Sequence, residues 1–386
     1  SHRAYLVLML DSLKKHSSFR ILGLMTGSSA DGLDICLVEF TGTDHEPSFE
    51  ICFSTGIEYP ATFSSAFRNP LELDDDQVSE LDQQLGQWFA DEIVKLDLRF
   101  DCIATHGQTI KHEPPDFTLQ IGDPSYMANQ FKVPVIYDFR SADLREGGQG
   151  APLIPILDNF LFQDKKEDVL SLNIGGIANI TIIPSAKNSA PLLAWDTGPG
   201  NTLIDKAVRT YSGNKLAYDT GGVLAAGGTL NSELLDILLK HEFYQLTPPR
   251  SAGQEQFGLT YYKQVLKELR PITDSNFKDL IHTVTVLTAK TITDSIQSMN
   301  SLYSPKTMYM SGGGVLNNSL ISFIKDELPD IKLIPVNSDG VTESNKEAFG
   351  FAYLGYCHLR GLAGNLPSVT GAKKSVVLGE VYLPTV

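Results

Sequence analysis

The feature that most constrains the fold is an order of secondary structure that occurs twice along the chain. Apolar runs separated by glycine turns predict a first set of three strands, at residues 21–25, 35–40 and 51–59. A second set of three strands is predicted at residues 169–174, 177–183 and 192–195. Helices and strands alternate after each set, which indicates two related α/β domains, although no residue-level repeat accompanies them.

Apolar spacing predicts the elements that follow each set of strands. A helix is predicted at residues 74–96, where apolar residues recur at helical spacing behind an acidic cap. The other predicted strands lie at residues 101–105, 133–137, 307–311 and 332–335. The other predicted helices lie at residues 201–211, 280–299 and 344–359, with one more starting at residue 317.

The length of 386 residues fits two domains better than one. We predict an N-terminal extension at residues 1–20, a first domain at 21–145 and a second domain at 146–386, whose last segment packs back on the first. A cleft between two such domains is the natural place for an active site.

Composition narrows the class of protein. The chain has 31 basic and 46 acidic residues, a net charge of −15, and its basic residues are scattered, which argues against a nucleic-acid partner. No apolar run approaches the length of a membrane-spanning helix. The four cysteines have no C-x-x-C spacing, which is typical of reduced thiols. We therefore expect a soluble, cytoplasmic protein.

A glycine turn joins the first two predicted strands. Its backbone N–H groups and two hydroxyls could face a phosphate, with a carboxylate near enough to hold a magnesium ion through water. The candidate phosphate-binding residues are Gly27, Ser28, Ser29, Ala30, Asp31 and Gly32. A plain hairpin turn is the alternative.

A second glycine loop follows the strand predicted at residues 192–195 and precedes a predicted helix. Glycines allow close approach to a phosphate, and a helix start adds positive potential. The candidate nucleotide-binding residues are Gly198, Gly200 and Asn201. Asp196, at the end of the strand, is a candidate general base. A structural turn is the alternative for this loop.

A third glycine loop follows the strand predicted at residues 307–311. Gly312, Gly313 and Gly314 would let the flat surface of a nucleotide lie against bare backbone, or they could form a tight strand-to-helix link. The chain has neither a G-x-x-x-x-G-K-[ST] loop nor a G-x-G-x-x-G loop. Three separate glycine loops must therefore hold a nucleotide.

Two polar segments suit a sugar. His106 and Gln108 follow a predicted strand, although a lone histidine is as often structural. Arg140 and Gln149 lie in a stretch rich in charges and glycines, which resembles a ligand loop or a solvated linker.

Taken in order, these motifs resemble the anhydro-N-acetylmuramic acid kinases, members of the acetate kinase, sugar kinase, heat-shock chaperone and actin superfamily. The resemblance runs from about residue 21 to the C-terminus. Its motifs are GLMTGSSADGLD at 23–34, HGQT at 106–109, QIGDP at 120–124, DFR at 138–140 with GGQGAPL at 147–153, NIGGIAN at 173–179, DTGPGN at 196–201, SGGG at 311–314 and SVTGA at 368–372.

The resemblance implies two ribonuclease H-like (actin-like ATPase) domains of α/β class, with the active site in a cleft between them. It implies hydrolysis of the 1,6-anhydro ring of the sugar and transfer of a phosphoryl group from ATP, with Mg²⁺, to oxygen 6. Asp196 would be the base, Leu33 and Asp34 would extend the first nucleotide loop, and Arg140 and Glu347 would contact the sugar. A homodimer is a family expectation, and the metal ligands stay open.

The chain departs from the family pattern at some positions. Thr26-Gly27-Ser28-Ser29 stands where the family usually has Ser-Gly-Thr-Ser, and Ala252 and Gln254 stand where it tends to have Thr and Arg. The rival functions are a levoglucosan-type kinase, a nucleotide-driven binding or chaperone-like module, and a non-catalytic sugar sensor.

Overall fold

The computed structural model describes residues 2–27, 30–252, 256–269, 273–336 and 340–385, without the side chains of His2, Arg3, Tyr5 and Leu6. The chain forms two compact units. Unit 1 comprises Ser1–Phe160 and Asn337–Val386, and unit 2 comprises Leu161–Val336.

The elements alternate along the chain much as the apolar patterns predict. The strands are β1 (Ser18–Met25), β2 (Gly32–Thr41), β3 (Ser48–Glu58), β4 (Cys102–Thr105), β5 (Gln108–Glu113), β6 (Phe117–Ile121), β7 (Val135–Tyr137), β8 (Asp168–Ile174), β9 (Ile177–Ile183), β10 (Leu193–Pro199), β11 (Pro305–Ser311), β12 (Lys332–Pro335) and β13 (Glu380–Tyr382). The helices are α1 (His2–Lys14), α2 (Ala61–Arg68), α3 (Asp75–Val94), α4 (Pro124–Phe131), α5 (Ser141–Arg145), α6 (Pro155–Phe162), α7 (Thr202–Ser212), α8 (Val223–Ala226), α9 (Ser232–Leu238), α10 (Leu259–Glu268), α11 (Asp274–Gln297), α12 (Asn318–Glu327), α13 (Lys346–Arg360) and α14 (Pro367–Thr370).

The two main sheets share a topology of five strands, to which unit 1 adds the edge strand β13. In unit 1 the order is β13-β7-β4-β1-β2-β3, and in unit 2 it is β10-β9-β8-β11-β12. In each unit the first three strands are antiparallel neighbours, and the fourth and fifth lie parallel to the first on its other side. Both sheets therefore have strand order 3-2-1-4-5, that of a ribonuclease H-like domain, and the predicted fold class is confirmed.

Each sheet has its own apolar core. In unit 1 the alternate residues Leu22 and Leu24 of β1 pack with the buried face of α3, whose N-terminus has a capping box from Asp74 and Gln77. In unit 2 the strands β8 and β11 pack against α11 and α12. The central strands are buried on both faces, which explains their nearly continuous apolar sequences.

The C-terminal helix α13 covers the other face of the unit 1 sheet. A Cβ at Gly23 on β1 would lie 2.1 Å from the carbonyl oxygen of Ala348, and a Cβ at Gly355 would lie 2.7 Å from the Cβ of Ala104 on β4. Only glycine permits so close an approach of helix to strand. Residues 337–386 are therefore part of unit 1 by packing.

The bounds of the two units differ from the predicted domains. The predicted division at 145/146 assigns residues 146–160 and 337–386 to the second domain, whereas the structure groups both segments with unit 1. The predicted division follows the order of the elements along the chain. The division in the structure follows from the packing of α13 on the unit 1 sheet. The predicted position of the last segment on the first domain agrees with this packing, and the predicted cleft stays a prediction.

Several element bounds were predicted incorrectly. Strand β1 begins at Ser18 instead of residue 21, β2 begins at Gly32 instead of residue 35, and β10 continues to Pro199 instead of ending at residue 195. The hairpin β5–β6 was not predicted. Glycine, proline and aspartate at these positions favour turns, and strand pairing overrides that local preference.

Two findings concern the class of protein. Cys36, Cys52, Cys102 and Cys357 are free thiols. Within the described part of the chain, no helix is long and apolar enough to cross a membrane.

Candidate active site

The first glycine turn is shorter than the sequence suggests. Gly32, Leu33 and Asp34 already pair in β2, and the turn closes through a hydrogen bond from the N–H of Ala30 to the carbonyl of Gly27 at 3.1 Å. Ala30 has φ of 53°, in the left-handed region. Ser28 and Ser29 lie outside the described residues.

The members of this segment differ in what they could offer a ligand. The side chain of Leu33 is buried in the core, so only its backbone could contact a ligand. Asp31 accepts a hydrogen bond from the N–H of Tyr59 through its carbonyl oxygen at 2.9 Å, which ties the turn to the end of β3. Asp34 faces an open pocket. The segment therefore offers a ligand the backbone of the turn and the side-chain carboxylate of Asp34.

The pocket beside Asp34 is acidic. It has a volume of about 360 Å³ and is lined by Asp34, Thr342, Glu343, Ser344 and Glu347. Burial and the nearby charges of Asp31 and Glu347 raise the pKa of Asp34 to about 6. Carboxylates gathered in this way favour a cation or a hydroxyl-rich ligand.

Glu347 lies in the first turn of α13, beside this pocket. Its side chain is accessible to solvent, yet partial withdrawal of the carboxyl from water raises its pKa, an effect that Arg140 and Lys346 oppose. Lys346 itself forms a buried ion pair with Asp158, which fixes the start of the helix. The structure therefore brings together the charges of Asp34, Arg140 and Glu347 within unit 1.

His106 and Arg140 are joined directly. The Nε of Arg140 donates to Nε2 of His106 at 3.0 Å, and Nδ1 of His106 lies 2.7 Å from the carbonyl oxygen of Gly107. Burial, followed by the charge of Arg140, holds the pKa of His106 well below its usual value. Burial also lowers the pKa of Arg140 to about 10, although Glu347 opposes the effect.

The two predicted glutamine contacts occupy different settings. Gln108 lies in β5, is buried, and accepts a hydrogen bond from the hydroxyl of Tyr59 through Oε1 at 3.1 Å. Gln149 is exposed, and its N–H donates to the carbonyl of Thr370 at 2.8 Å. Only the Gln149 side chain is open to a ligand without rearrangement.

The predicted glycine loops of unit 2 meet at one junction. The N–H groups of Gly200 and Asn201 donate to the carbonyls of Gly176 and Gly175, each at 2.8 Å. A Cβ at Gly200 would lie 2.2 Å from the Gly175 carbonyl oxygen, and one at Gly314 would lie 2.3 Å from Ile174. These glycines are required because three backbone segments cross at van der Waals distance.

One face of this junction stays open. A Cβ at Gly313 or Gly175 would meet no atom closer than 3.6 Å, and the N–H groups that begin the short 3₁₀ turn at residues 313–316 have no partner within the turn. Gly312, with φ of 92°, lies against the backbone of Ile174. Bare backbone next to N–H groups that have no partner within the turn suits a nucleotide.

Gly198 lies within β10 and not in a loop. It has φ of 139°, and a Cβ there would lie 2.9 Å from the ring of Tyr244. The pairing of β10 with β9 shifts between Asp196 and Gly198, which is a β-bulge. Bulges redirect side chains and often lie next to active sites.

Asp196 lies at the start of that bulge. Its Oδ2 accepts the backbone N–H of Ala252 at 2.7 Å, and among the described residues Oδ1 has no hydrogen-bond partner. Burial raises the pKa of Asp196, while the Ala252 N–H and the charge of Arg250 oppose the rise. The backbone N–H of Ala252 thus holds one carboxylate oxygen in place, and burial favours the protonated form of the group.

Arg250 is a site residue that the sequence did not single out. Its guanidinium donates to the carbonyls of Asp196 at 3.1 Å and Leu246 at 2.8 Å, and stacks over the ring of Phe243 at 4.6 Å. The N–H of Asp196 in turn donates to the carbonyl of Arg250 at 2.9 Å. Arg250 therefore anchors the segment that holds Asp196.

The family departures near this segment have different consequences. The hydrogen bond from Ala252 to Asp196 uses the backbone, so the replacement of Thr by Ala leaves it intact. Gln254 lies outside the described residues.

Metal binding is considered for the described residues only. They contain no group of three or more His, Cys, Asp or Glu side chains arranged to hold a metal ion. The acidic pair Asp34 and Glu347, with Asp31 nearby, still has the oxygen donors that Mg²⁺ prefers, and a cation there would offset the repulsion that raises the Asp34 pKa.

Comparison with known proteins identifies the family. The model of the family described as anhydro-N-acetylmuramic acid kinase matches residues 19–384. The chain belongs to the anhydro-N-acetylmuramic acid kinase family. It is therefore a sugar kinase, and the resemblance found in the sequence is confirmed.

Three relatives with that name illustrate the match. The protein of Caldanaerobacter subterraneus subsp. tengcongensis is 34% identical over 94% of this chain and 96% of its own length. The protein of Prochlorococcus marinus strain MIT 9313 is 36% identical over 93% and 98%, and that of Bacillus cereus strain Q1 is 35% identical over 95% and 100%. The likeness to the kinase family thus extends over both units.

Proposed function

We propose that this kinase opens the 1,6-anhydro ring of anhydro-N-acetylmuramic acid with water and phosphorylates the released oxygen 6 from ATP. The product is N-acetylmuramic acid 6-phosphate, and the reaction serves cytoplasmic recycling of cell-wall sugars. Family membership over residues 19–384 gives the substrate class. The observation that carries the chemistry is the partly buried carboxylate of Asp196, which the backbone N–H of Ala252 holds through Oδ2.

Asp196 is the general base in this proposal. Its Oδ1 takes a proton from water as the water oxygen bonds to carbon 1 of the sugar and the bond between carbon 1 and oxygen 6 breaks. The raised pKa of Asp196 suits this role, because a base is most effective when its pKa approaches the working pH. The hydrogen bond from Ala252 keeps the carboxylate oriented during the transfer.

Oxygen 6 becomes the nucleophile as the ring opens. It bonds to the γ-phosphorus of ATP, and the bond from that phosphorus to the bridging oxygen of ADP breaks. Such a transfer depends on positioning and on neutralisation of charge. Opening the ring and phosphorylating oxygen 6 in one site would avoid release of an unphosphorylated sugar.

The sugar-binding groups in this proposal are Arg140, Gln149 and Glu347, with Gln108 closing the floor of the site. A guanidinium whose pKa is lowered by burial gains from an acceptor oxygen such as the lactyl carboxylate. Glu347 accepts from sugar hydroxyls, and burial raises its pKa although the charges of Arg140 and Lys346 oppose the rise.

In unit 2 the proposed nucleotide-binding groups are the open backbone at Gly313 and Gly175. In unit 1, considered by itself, they are the described residues of the first glycine turn, Gly27, Ala30 and Asp31. Mg²⁺, when bound, would offset the negative charge of the ATP phosphates and would be held by Asp31 and Asp34, directly or through water. The carboxylates alone would repel ATP, so the proposal requires the metal.

The test of this function is product identification. The full chain is incubated with ATP, Mg²⁺ and either anhydro-N-acetylmuramic acid or levoglucosan, and the products are analysed by mass spectrometry. We expect a hydrated, monophosphorylated product and equimolar ADP from the first sugar only. Preferential turnover of levoglucosan would favour the simpler anhydrosugar as substrate, because groups for lactyl and acetamido recognition reject a sugar that lacks them. ATP hydrolysis that ignores both sugars would contradict the kinase assignment.

A further inference from the structure

The guanidinium of Arg140 is fixed by two acceptors in unit 1. Its Nε donates to Nε2 of His106 at 3.0 Å, and its Nη1 donates to the carbonyl oxygen of Gly150 at 2.9 Å. An arginine has five N–H donors, so these two bonds set its orientation and leave three donors for a ligand. The two acceptors belong to different segments, and each is itself held in place.

The first acceptor, His106, has both ring nitrogens occupied. Nδ1 lies 2.7 Å from the Gly107 carbonyl, which can only accept, so Nδ1 carries the hydrogen and Nε2 is the acceptor for Arg140. The hydroxyl of Thr26 donates to the same carbonyl at 2.5 Å, and the ring packs on Phe351 with centroids 4.9 Å apart. No ring nitrogen is left to contact a sugar.

The charge on His106 is fixed by its surroundings. A protonated imidazole would place a second cation against Arg140 in a buried setting, which is strongly unfavourable. His112 lies near as a further basic group, and burial is the main reason why the pKa of His106 falls. His106 is therefore a neutral acceptor.

The second acceptor is held by a fully buried carboxylate. Oδ2 of Asp143 accepts the N–H of Gly150 at 2.8 Å, and Oδ1 accepts from Asn365 and from the Thr370 hydroxyl, each at 2.7 Å. Gly150 has φ of 67°, a conformation that glycine adopts without strain. Asp143 thus fastens the Gly150 loop to the segment around α14.

We propose that His106 and Asp143 are positioning residues that act on the sugar only through Arg140. His106 orients the guanidinium by accepting from Nε, and Asp143 orients it by holding the Gly150 carbonyl. Together they present the remaining N–H groups to an oxygen of the ligand. The identity of that ligand rests on the proposed function, while the hydrogen-bond arrangement does not. His106 was predicted to contact the sugar directly, and this inference replaces that role.

The arrangement of His106 is tested without substrate. Nitrogen-15 NMR of the full chain reports the protonation of each ring nitrogen, and the signals of His106 are those lost in His106→Asn. We expect the neutral form with hydrogen on Nδ1, unchanged between about pH 5.5 and 8, because the unperturbed pKa of histidine is about 6.5. Titration in this range, or hydrogen on Nε2, would overturn the proposal even if the chain proved inactive on every sugar.

A matched pair of variants tests how His106 acts. In His106→Gln the side-chain oxygen can replace Nε2 as acceptor for Arg140, whereas His106→Asn keeps only a donor near the Gly107 carbonyl. We expect His106→Asn to raise the sugar KM roughly tenfold with the ATP KM unchanged, and His106→Gln to stay within about threefold. Thermal unfolding checks that both variants fold.

A double variant distinguishes a positioning role of His106 from direct contact between His106 and the sugar. In an Arg140→Ala background, His106→Asn should have no further effect on the sugar KM, because the group it orients is absent. Equal losses in Asn and Gln variants, or effects that multiply in the double variant, would overturn the positioning role of His106.

A second pair of variants tests the positioning role of Asp143. Asp143→Asn should raise the sugar KM about as much as His106→Asn, again without effect beyond that of Arg140→Ala. Should it fail to fold, Thr370→Val removes one donor and leaves the Gly150 bond. We expect Thr370→Val to raise the sugar KM about threefold with the ATP KM unchanged. An unchanged sugar KM in the folded variants would remove Asp143 from the proposal.

Discussion

The two ribonuclease H-like units share one strand order but carry different chemistry at corresponding strand ends. After the fourth strand of unit 1 come His106 and Gly107, and after the fourth strand of unit 2 come Gly312 and Gly313. The turn between the first two strands ends at Asp31 in unit 1, whereas in unit 2 it consists of Gly175 and Gly176.

Under the proposed function, this difference allows one topology to serve two kinds of ligand. Unit 1 gathers partly buried charges, among them Asp34, Arg140 and Glu347, which suit hydroxyls, a carboxylate and a cation. Unit 2 exposes backbone at Gly313, which suits a nucleotide, and adds one carboxylate at the bulge of β10. The shared fold positions strand ends, and the residues placed there decide the chemistry.

The largest expected effect concerns Asp196. Asp196→Asn keeps an acceptor for the Ala252 N–H but loses the base, so kcat should fall roughly 10²- to 10⁴-fold while the fold is retained. Steady-state kinetics and circular dichroism measure the two properties. The exposed Asp236 of the same unit provides the control, since Asp236→Asn should leave kcat unchanged. Near-normal turnover in Asp196→Asn would remove the catalytic role from unit 2.

The pH dependence of the wild-type enzyme follows from the same residue. Because burial raises the pKa of Asp196, the base becomes protonated at a higher pH than an ordinary aspartate would. The acidic limb of log kcat/KM against pH should therefore lie above the pKa of about 3.9 of a free aspartate, and it should disappear from the residual activity of Asp196→Asn. A limb that persists in the variant would assign it to another group.

The next effect distinguishes a glycine of the unit 2 junction that is needed for packing, Gly314, from one that is proposed to contact the nucleotide, Gly313. Gly314→Ala places a Cβ 2.3 Å from Ile174 and should reduce the free energy of unfolding by about 2 kcal/mol. Gly313→Ala meets nothing within 3.7 Å, so stability should change by less than about 0.5 kcal/mol. The ATP KM should nonetheless rise roughly fivefold in Gly313→Ala, with the sugar KM unchanged. The reverse pattern would show that Gly313 packs rather than binds.

The smallest effect tests the burial of the Asp34 carboxylate in unit 1 and its repulsion by Asp31 and Glu347. Because the folded-state pKa of Asp34 is about 6, the unfolded state ionises first as pH rises from about 4, and the penalty is complete above pH 6. Asp34→Asn should therefore stabilise the protein on the order of 1 kcal/mol at pH 7, after allowance for solvent screening, and should give no gain below pH 4. Denaturant unfolding at both pH values measures it. If Asp34→Asn were instead less stable than the wild type at pH 7, the Asp34 carboxylate would have a stabilising partner in the folded protein.

The sequence predicted the architecture better than the bounds of its loops. Apolar runs were enough to place both sets of three strands, because strands that are buried on both faces have nearly continuous apolar residues. Gly32, Asp196 and Gly198 were read as loop residues because glycine and aspartate favour turns, yet pairing with neighbouring strands places them in β2 and β10. A bulge depends on the partner strand, which a single sequence does not reveal.

The candidate site was predicted in part. Motif order identified Asp196, Arg140 and Glu347, and the structure brings Arg140 and Glu347 within electrostatic reach of each other. Arg250 and Asp143 were not singled out, because their importance comes from contacts with backbone atoms far along the chain. The N–H groups of Gly200 and Asn201 also turn out to be used within the protein, which local glycine content cannot indicate.

Oxygen-18 labelling tests the central claim most directly. The full chain is given anhydro-N-acetylmuramic acid, ATP and Mg²⁺ in oxygen-18 water, and the product is fragmented by mass spectrometry within one turnover. The account predicts one labelled oxygen at carbon 1 and an unlabelled phosphate ester at oxygen 6, because water attacks carbon 1 and the bridging oxygen receives the phosphoryl group. An unlabelled carbon 1, or an anhydro ring that stays closed, would contradict it.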